Sequence, residues 1–163
     1  MQLRIYVGGR QLPFSSTPKP EFCTCLAIRQ AARHVSQYYD QYLARAGLRT
    51  TQFSILAKLK EGGSLTINEL AQAMVMDRTT LGRNILLLER DGLVAVAQGT
   101  ADRRSKELCL TDSGQKRLRK AWRYWSEAQA GFDAAFGSRE DADLRTLMRA
   151  VTSTELTAAT KKS

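Results

Sequence analysis

The sequence predicts a mainly α-helical protein with a small β-hairpin wing, and three observations predict it. Residues 64–114 hold two short helical patterns in close succession, then two alternating segments separated by a basic loop, then the start of another helix. That order is a winged helix-turn-helix. Apolar stripes with helical spacing lie on both sides of it, and 163 residues suffice for one domain with a real core.

In chain order, residues 1–19 carry Gly8, Gly9, Pro13 and Pro18 with Ser15 and Ser16, the composition of a loose extension. This segment is either partly ordered by Leu3, Ile5, Tyr6 and Phe14 or lies before the true translation start. Pro20 suits the first turn of a helix running to about Ala46, with Phe22, Leu26, Val35, Tyr39, Tyr42 and Leu43 as its stripe and Gly47 as its end. Thr50 or Thr51 is the expected cap of the next helix, with Phe53, Leu56 and Leu59 inward and Gly62-Gly63 terminating it.

Thr66-Ile67-Asn68-Glu69 has the form of a capping box, in which the hydroxyl and the carboxylate satisfy each other's free backbone N–H groups. The helix it starts buries Ile67, Leu70, Ala71 and Met74. Asp77 is the next N-cap, and Leu81, Ile85 and Leu88 are the buried stripe of the helix from Arg78. Gly82 in mid-helix costs about 1 kcal/mol against alanine, which makes sense where another surface must approach. Asp91-Gly92 ends the helix, Leu93–Val96 and Glu107–Thr111 form the strands, and Thr111 caps a long helix with Leu118, Trp122, Trp125, Phe132 and Phe136 on one face. Ser138 is the expected cap of a last helix, where Glu140, Asp141 and Asp143 favour the N-terminal dipole and Leu144, Met148 and Val151 point inward. Residues 157–163 read as a frayed tail.

A formal charge of +9 and a pI near 9.8 fit an acidic partner, with nucleic acid the first candidate, and fit equally a surface that is simply basic, so the distribution of charge decides more. Between Met76 and Lys120 there are ten basic and six acidic residues, whereas Glu127 to Glu155 holds six acidic and three basic, so the positive charge sits on the winged part. There Arg78, Thr79, Thr80, Arg83 and Asn84 occupy the outer face and first turns of the second short helix, within reach of base edges or phosphates. Arg103, Arg104 and Lys106 sit on the wing loop, and an arginine on a narrow tip suits a narrow minor groove. No segment spans a membrane and residues 1–20 lack the apolar core of a signal peptide, which points to the cytoplasm. Cys23, Cys25 and His34 lie on one helix at spacings that do not converge on a metal, and the single histidine has no triad partners. No cofactor motif is present, so neither an enzyme nor a metalloprotein is expected.

The run LTINELAQAM…DRTTLGRNILLLERDGLVAV…DRRSKELCLTDSG resembles the MarR family of bacterial transcription regulators: a D-R-x-T recognition helix, an L-E-x-x-G-L-V exit, a D-x-R wing and an L-T-x-x-G start to the next helix. The resemblance implies a homodimer on palindromic double-stranded operator DNA, with Arg104 in the minor groove and Asp102 orienting it. It divides the domain over 20–156 into a reading part, 48–112, and dimerisation helices at 20–47 and 113–156. Two heads about one DNA turn apart, roughly 34–36 Å, would read a palindrome.

Two switching chemistries stay open. Arg29, Arg33, His34, Tyr38, Tyr39 and Tyr42 are candidates to line a pocket beside Trp122 and Trp125, and the resemblance implies an anionic aromatic effector; packing alone is the plainer account of those side chains. Cys23 and Cys25, near a helix N-terminus, are candidates for a thiol sensor. In the hydroperoxide-sensing branch of the family a cysteine precedes a tyrosine by fourteen residues, as Cys25 precedes Tyr39, although Arg29 and Thr50 replace that branch's other tyrosines. Inert burial is the plainer account of these cysteines, a Cys23–Cys25 disulfide is disfavoured within an intact helix, and Cys109 reads as packing. A third class, a winged helix that binds protein and never DNA, is separated from the others by a footprint on DNA.

Overall fold

The computed structural model describes residues 20–98 and 106–156, together with short strands at 6–7 and 10–11. It divides into two units between Gln37 and Tyr38. In the first, β1 (Tyr6–Val7) pairs antiparallel with β2 (Arg10–Gln11), and a 3-10 turn at Pro20–Phe22 leads into α1 (Thr24–Leu43). The helix thus starts four residues later than expected from Pro20. The Cys23 N–H donates to the Pro20 carbonyl (3.0 Å), and Cys23 Sγ accepts the Leu26 N–H (3.4 Å), so Cys23 precedes the helix and serves as its cap. The helical-spacing objection to a Cys23–Cys25 bond therefore lapses. Phe22 and Leu26, expected on an apolar face, are exposed.

The second unit starts with the last residues of α1, a 3-10 turn at Ala44–Ala46, and Gly47 in the left-handed region. In α2 (Thr50–Gly62) the capping differs from expectation: Arg49 holds the cap position and Thr50 is the first helical residue. The Gln52 side-chain oxygen accepts the Arg49 N–H (2.9 Å), and Asp40 accepts the Thr50 N–H and hydroxyl at 2.6 and 2.7 Å. A carboxylate of α1 caps α2, satisfying N–H groups that a helix start leaves without partners.

Next come β3 (Leu65–Thr66), α3 (Ile67–Ala73), α4 (Arg78–Arg90), β4 (Val94–Gln98) and β5 (Lys106–Leu110). The expected hairpin gains a third strand, for β3 pairs with β5 (Leu65 opposite Leu108) and the sheet order is β3-β5-β4. The Thr66/Glu69 capping box and the Asp77 cap form as the sequence indicates. Between α3 and α4, Val75 has φ +50°, a left-handed conformation that a β-branched side chain rarely adopts.

Thr111 caps α5 (Asp112–Phe136): its hydroxyl accepts the Gly114 N–H (2.9 Å) and donates to the Gly92 carbonyl (2.7 Å), pinning the helix start to the exit of α4. The buried line of α5 is Gly114, Leu118, Ala121 and Ala128, whereas Trp122 and Phe136 of the expected aromatic face are about half exposed. Small side chains let neighbours approach, which decides which stripe faces in. In α6 (Ser138–Ser153) the cap is Gly137 and not Ser138, and Met148 and Val151, expected inward, are exposed. Asp141 is buried instead; it accepts from Gln129 (3.0 Å) and from Arg145, while Gln129 accepts the Tyr39 hydroxyl (2.7 Å). The core joins Leu43 and Leu48 to Phe53, Ile55, Leu56 and Leu59 of α2, Leu70, Leu81, Ile85 and Leu88 of the paired helices, and Leu93, Val94 and Leu108 of the sheet. Among the described residues no helix is long and apolar enough to cross a membrane.

Candidate nucleic-acid interface

Helix α4 is held by one face and free on the other. Leu81, Ile85 and Leu88 recur at helical spacing and are almost wholly buried, so the opposite side chains stand clear of the protein. Arg78, Thr79, Thr80 and Arg83 are exposed, all in the first two turns. The N-terminus is rigid: Asp77 accepts the Thr80 N–H (2.8 Å), and hydrogen bonds from the Thr80 hydroxyl and backbone hold the Asp77 carboxyl below its ordinary range. Thr80 is thus tied into the cap. Asn84 is half-buried and its amide donates back to the Thr80 carbonyl (2.9 Å), which leaves less of it for a ligand than a surface position would.

Beside this helix the wing rises as β4 and β5, paired out to Gln98 opposite Lys106. Lys106 is exposed. Asp102, Arg103 and Arg104 lie outside the described residues. Cys109, half-buried on β5, directs its thiol to the Ala95 carbonyl of the facing strand at 3.7 Å, in keeping with packing.

Of the residues proposed from sequence for an effector pocket, the tyrosines and tryptophans of the second unit fall into two clusters. Arg29, Arg33 and His34 are exposed on the α1 portion of the first unit. Tyr38 and Tyr42 share a hydrogen bond (3.3 Å), and the Tyr38 hydroxyl also donates to the Ala128 carbonyl (3.2 Å); the neighbouring Tyr42 hydroxyl and burial push the Tyr38 phenol up to about 12. Tyr38 and Tyr39 pack on Phe132, whereas Trp122 and Trp125 form a separate cluster with Phe53, the Trp125 ring lying nearly parallel to Phe53 at 6.0 Å. What does open beside Trp122 is a groove of about 820 Å³ between α2 and α5, lined by Lys60, Leu118, Arg119, Trp122, Arg123 and Glu127 among others. Its cations escaped the sequence reading although Arg119, Trp122, Arg123 and Ser126 share helical spacing. Cys23 and Cys25 are exposed free thiols, against the expectation of inert burial. Two exposed apolar residues of α4, Leu86 and Leu87, also went unremarked, their signal being leucines off the buried stripe.

A model of the MarR family matches residues 48–106. The Mycobacterium tuberculosis transcriptional regulator MosR, solved in complex with DNA, is 40% identical with a TM-score of 0.70, over 82% of this chain and 99% of that one. The homoprotocatechuate degradative operon repressor of Escherichia coli is 28% identical over 123 residues, 76% of this chain and 83% of the repressor. BpsR of Bordetella bronchiseptica, whose DNA binding is regulated by 6-hydroxynicotinic acid, superposes with a TM-score of 0.76 over 86% of this chain and 100% of its own; at 19% identity it attests the fold alone. With the capped helix pair, the exposed polar face of α4 and the wing all in that arrangement, the chain belongs to the MarR family of DNA-binding transcriptional regulators.

Proposed function

We propose that the protein is a homodimeric repressor that binds a palindromic operator and leaves it when an effector binds. The observation that carries this reading is the row Arg78, Thr79, Thr80 and Arg83, exposed on a helix whose opposite face is locked into the core. In the major groove Thr79 and Thr80 meet bases or phosphates and Arg83 reaches a guanine edge or the backbone. Lys106 and Arg103 neutralise phosphates, while Arg104, oriented by Asp102, enters the minor groove. Dimerisation is supported by large apolar side chains left exposed on the single chain, Leu147, Met148, Val151 and Leu156 toward the C-terminus and Phe22 and Leu26 at the start of the described helices.

The test uses duplexes that the full-length protein selects from a random-sequence pool. Arg83→Ala is expected to relax preference at one or two base pairs by about 1–3 kcal/mol. Lys106→Ala is expected to weaken all sequences alike and to reduce the slope of log K against log salt by about 1. Equal loss of specificity from both variants would overturn the assignment, and a complex of one protomer per palindrome would overturn the dimer.

For the effector, the α2/α5 groove suits an aromatic anion, since the Trp122 ring offers a stacking face and Lys60, Arg119 and Arg123 the charge. A second reading is favoured by a different observation: Cys23 caps α1 and is exposed together with Cys25, so oxidation there removes the cap. Binding to the selected duplex in the presence of salicylate, or of cumene hydroperoxide followed by dithiothreitol, separates the two. Release by the carboxylate that Arg123→Ala abolishes supports the groove; release by the peroxide that thiol reverses, and that Cys23→Ser prevents, supports the switch. Indifference to both reagents removes both readings.

A further inference from the structure

The outward face of α4 holds a feature that its polar residues do not explain. By helical spacing Thr79, Arg83, Leu86 and Arg90 line one face, opposite the buried Leu81, Ile85 and Leu88, and Gly82 lies one turn before Leu86 on the same side. Leu86 is 65% exposed. A Cβ built on Gly82 meets nothing within 4 Å, so nothing within the described chain requires a glycine there, yet the helix is less stable for it by about 1 kcal/mol. A single exposed leucine is ordinary. Its pairing with a missing side chain one turn earlier, between two arginines and a threonine, is not.

A bare stretch of helix lets a facing surface come close, and a projecting apolar side chain beside it then needs an apolar partner. If α4 lies in the major groove, as proposed above and as this inference requires, the edges of the bases offer donors, acceptors and one apolar group, the C5-methyl of thymine. We propose that Leu86 packs against a thymine methyl in each half-site, at a depth set by the absent side chain of Gly82. Arg83, one turn before Leu86, supplies the polar contact on the same face, and Arg90 beyond it pairs with Asp91 (3.1 Å).

The experiment replaces each thymine of the selected duplex, one at a time, by deoxyuridine, which removes the methyl and keeps every hydrogen-bonding group. The wild-type protein is expected to lose about fourfold in affinity at one thymine per half-site, the equivalent of one buried methyl group. Leu86→Ala, at an exposed position that the fold tolerates, is expected to bind the thymine and uracil duplexes equally. Gly82→Ala is expected to bring the same ratio toward one while raising thermal stability, and Lys106→Ala to leave the ratio unchanged. A thymine-to-uracil response identical in wild type and Leu86→Ala at every position would overturn the proposal while leaving α4 as the reading helix. Failure of the protein to enrich any sequence would overturn the reading helix itself, and this inference with it.

Discussion

Replacing Gly114 by alanine is expected to destabilise the protein by about 2–3 kcal/mol, a fall in Tm of roughly 5–10 °C. The added Cβ falls directly on the Leu93 carbonyl oxygen, with the Leu93 carbonyl carbon 3.0 Å and the Leu110 Cδ2 3.2 Å away. A flexible side chain could turn aside; this neighbour is backbone. It is also pinned, because the Leu93 N–H donates to the Leu88 carbonyl (2.8 Å) and the Leu93 carbonyl accepts the Thr111 N–H (3.2 Å). Relief therefore requires α5 to move off the sheet, and that loss exceeds the gain of about 1 kcal/mol that alanine brings to a helix. Thermal unfolding of Gly114→Ala beside Gly82→Ala checks this internally: the first should fall and the second rise. An unchanged Tm for Gly114→Ala would sink the close-contact account. The same contact gives the physical reason for glycine in the L-T-x-x-G motif.

Asp141→Ala is expected to cost about 2 kcal/mol in denaturant unfolding, measured at fixed protein concentration because the stability of the proposed dimer would depend on it. Asp141 is 4% exposed and accepts from Gln129 and Arg145. Removing it takes a partner from a chain of polar groups that runs from the Tyr39 hydroxyl through Gln129 to α6. The cost stays below the 3–5 kcal/mol typical of breaking a fully buried pair, since the Arg145 side chain is 50% exposed and regains water, and Gln129 keeps Asp133 at 2.9 Å. Coupling of about 1 kcal/mol is expected between Asp141→Ala and Gln129→Ala in a double-mutant cycle. Strict additivity would show that the chain of hydrogen bonds does not hold α6.

Much of the fold was legible because its signals are short-range. A cap spans three residues and a buried stripe repeats every three or four, so Thr66, Asp77 and Thr111 announced their helices, and Leu81, Ile85 and Leu88 the inward face of α4. The exposed Arg78, Thr79 and Arg83 follow from the same periodicity, since fixing the buried side fixes the other. Where the reading failed at Thr50 and in the sheet, the deciding partner lay farther along the chain. Thr50 looked like a cap because nothing near it shows that Asp40 reaches back to the helix start. The pairing of β3 with β5 joins residues more than forty apart, and a two-residue strand carries no periodicity of its own.

The sequence by itself determined the class of the molecule: a winged helix-turn-helix with a basic reading head and one outward polar face, set by hydrogen bonds and periodicities that close within a turn or two. Tertiary structure alone decided the rest. It separated the tyrosines from the tryptophans, turned the small-residue line of α5 inward, opened the groove beside Trp122, buried Asp141, and left Leu86 bare above Gly82. Each of these depends on which surface meets which, and burial is a property of two elements in contact rather than of either alone.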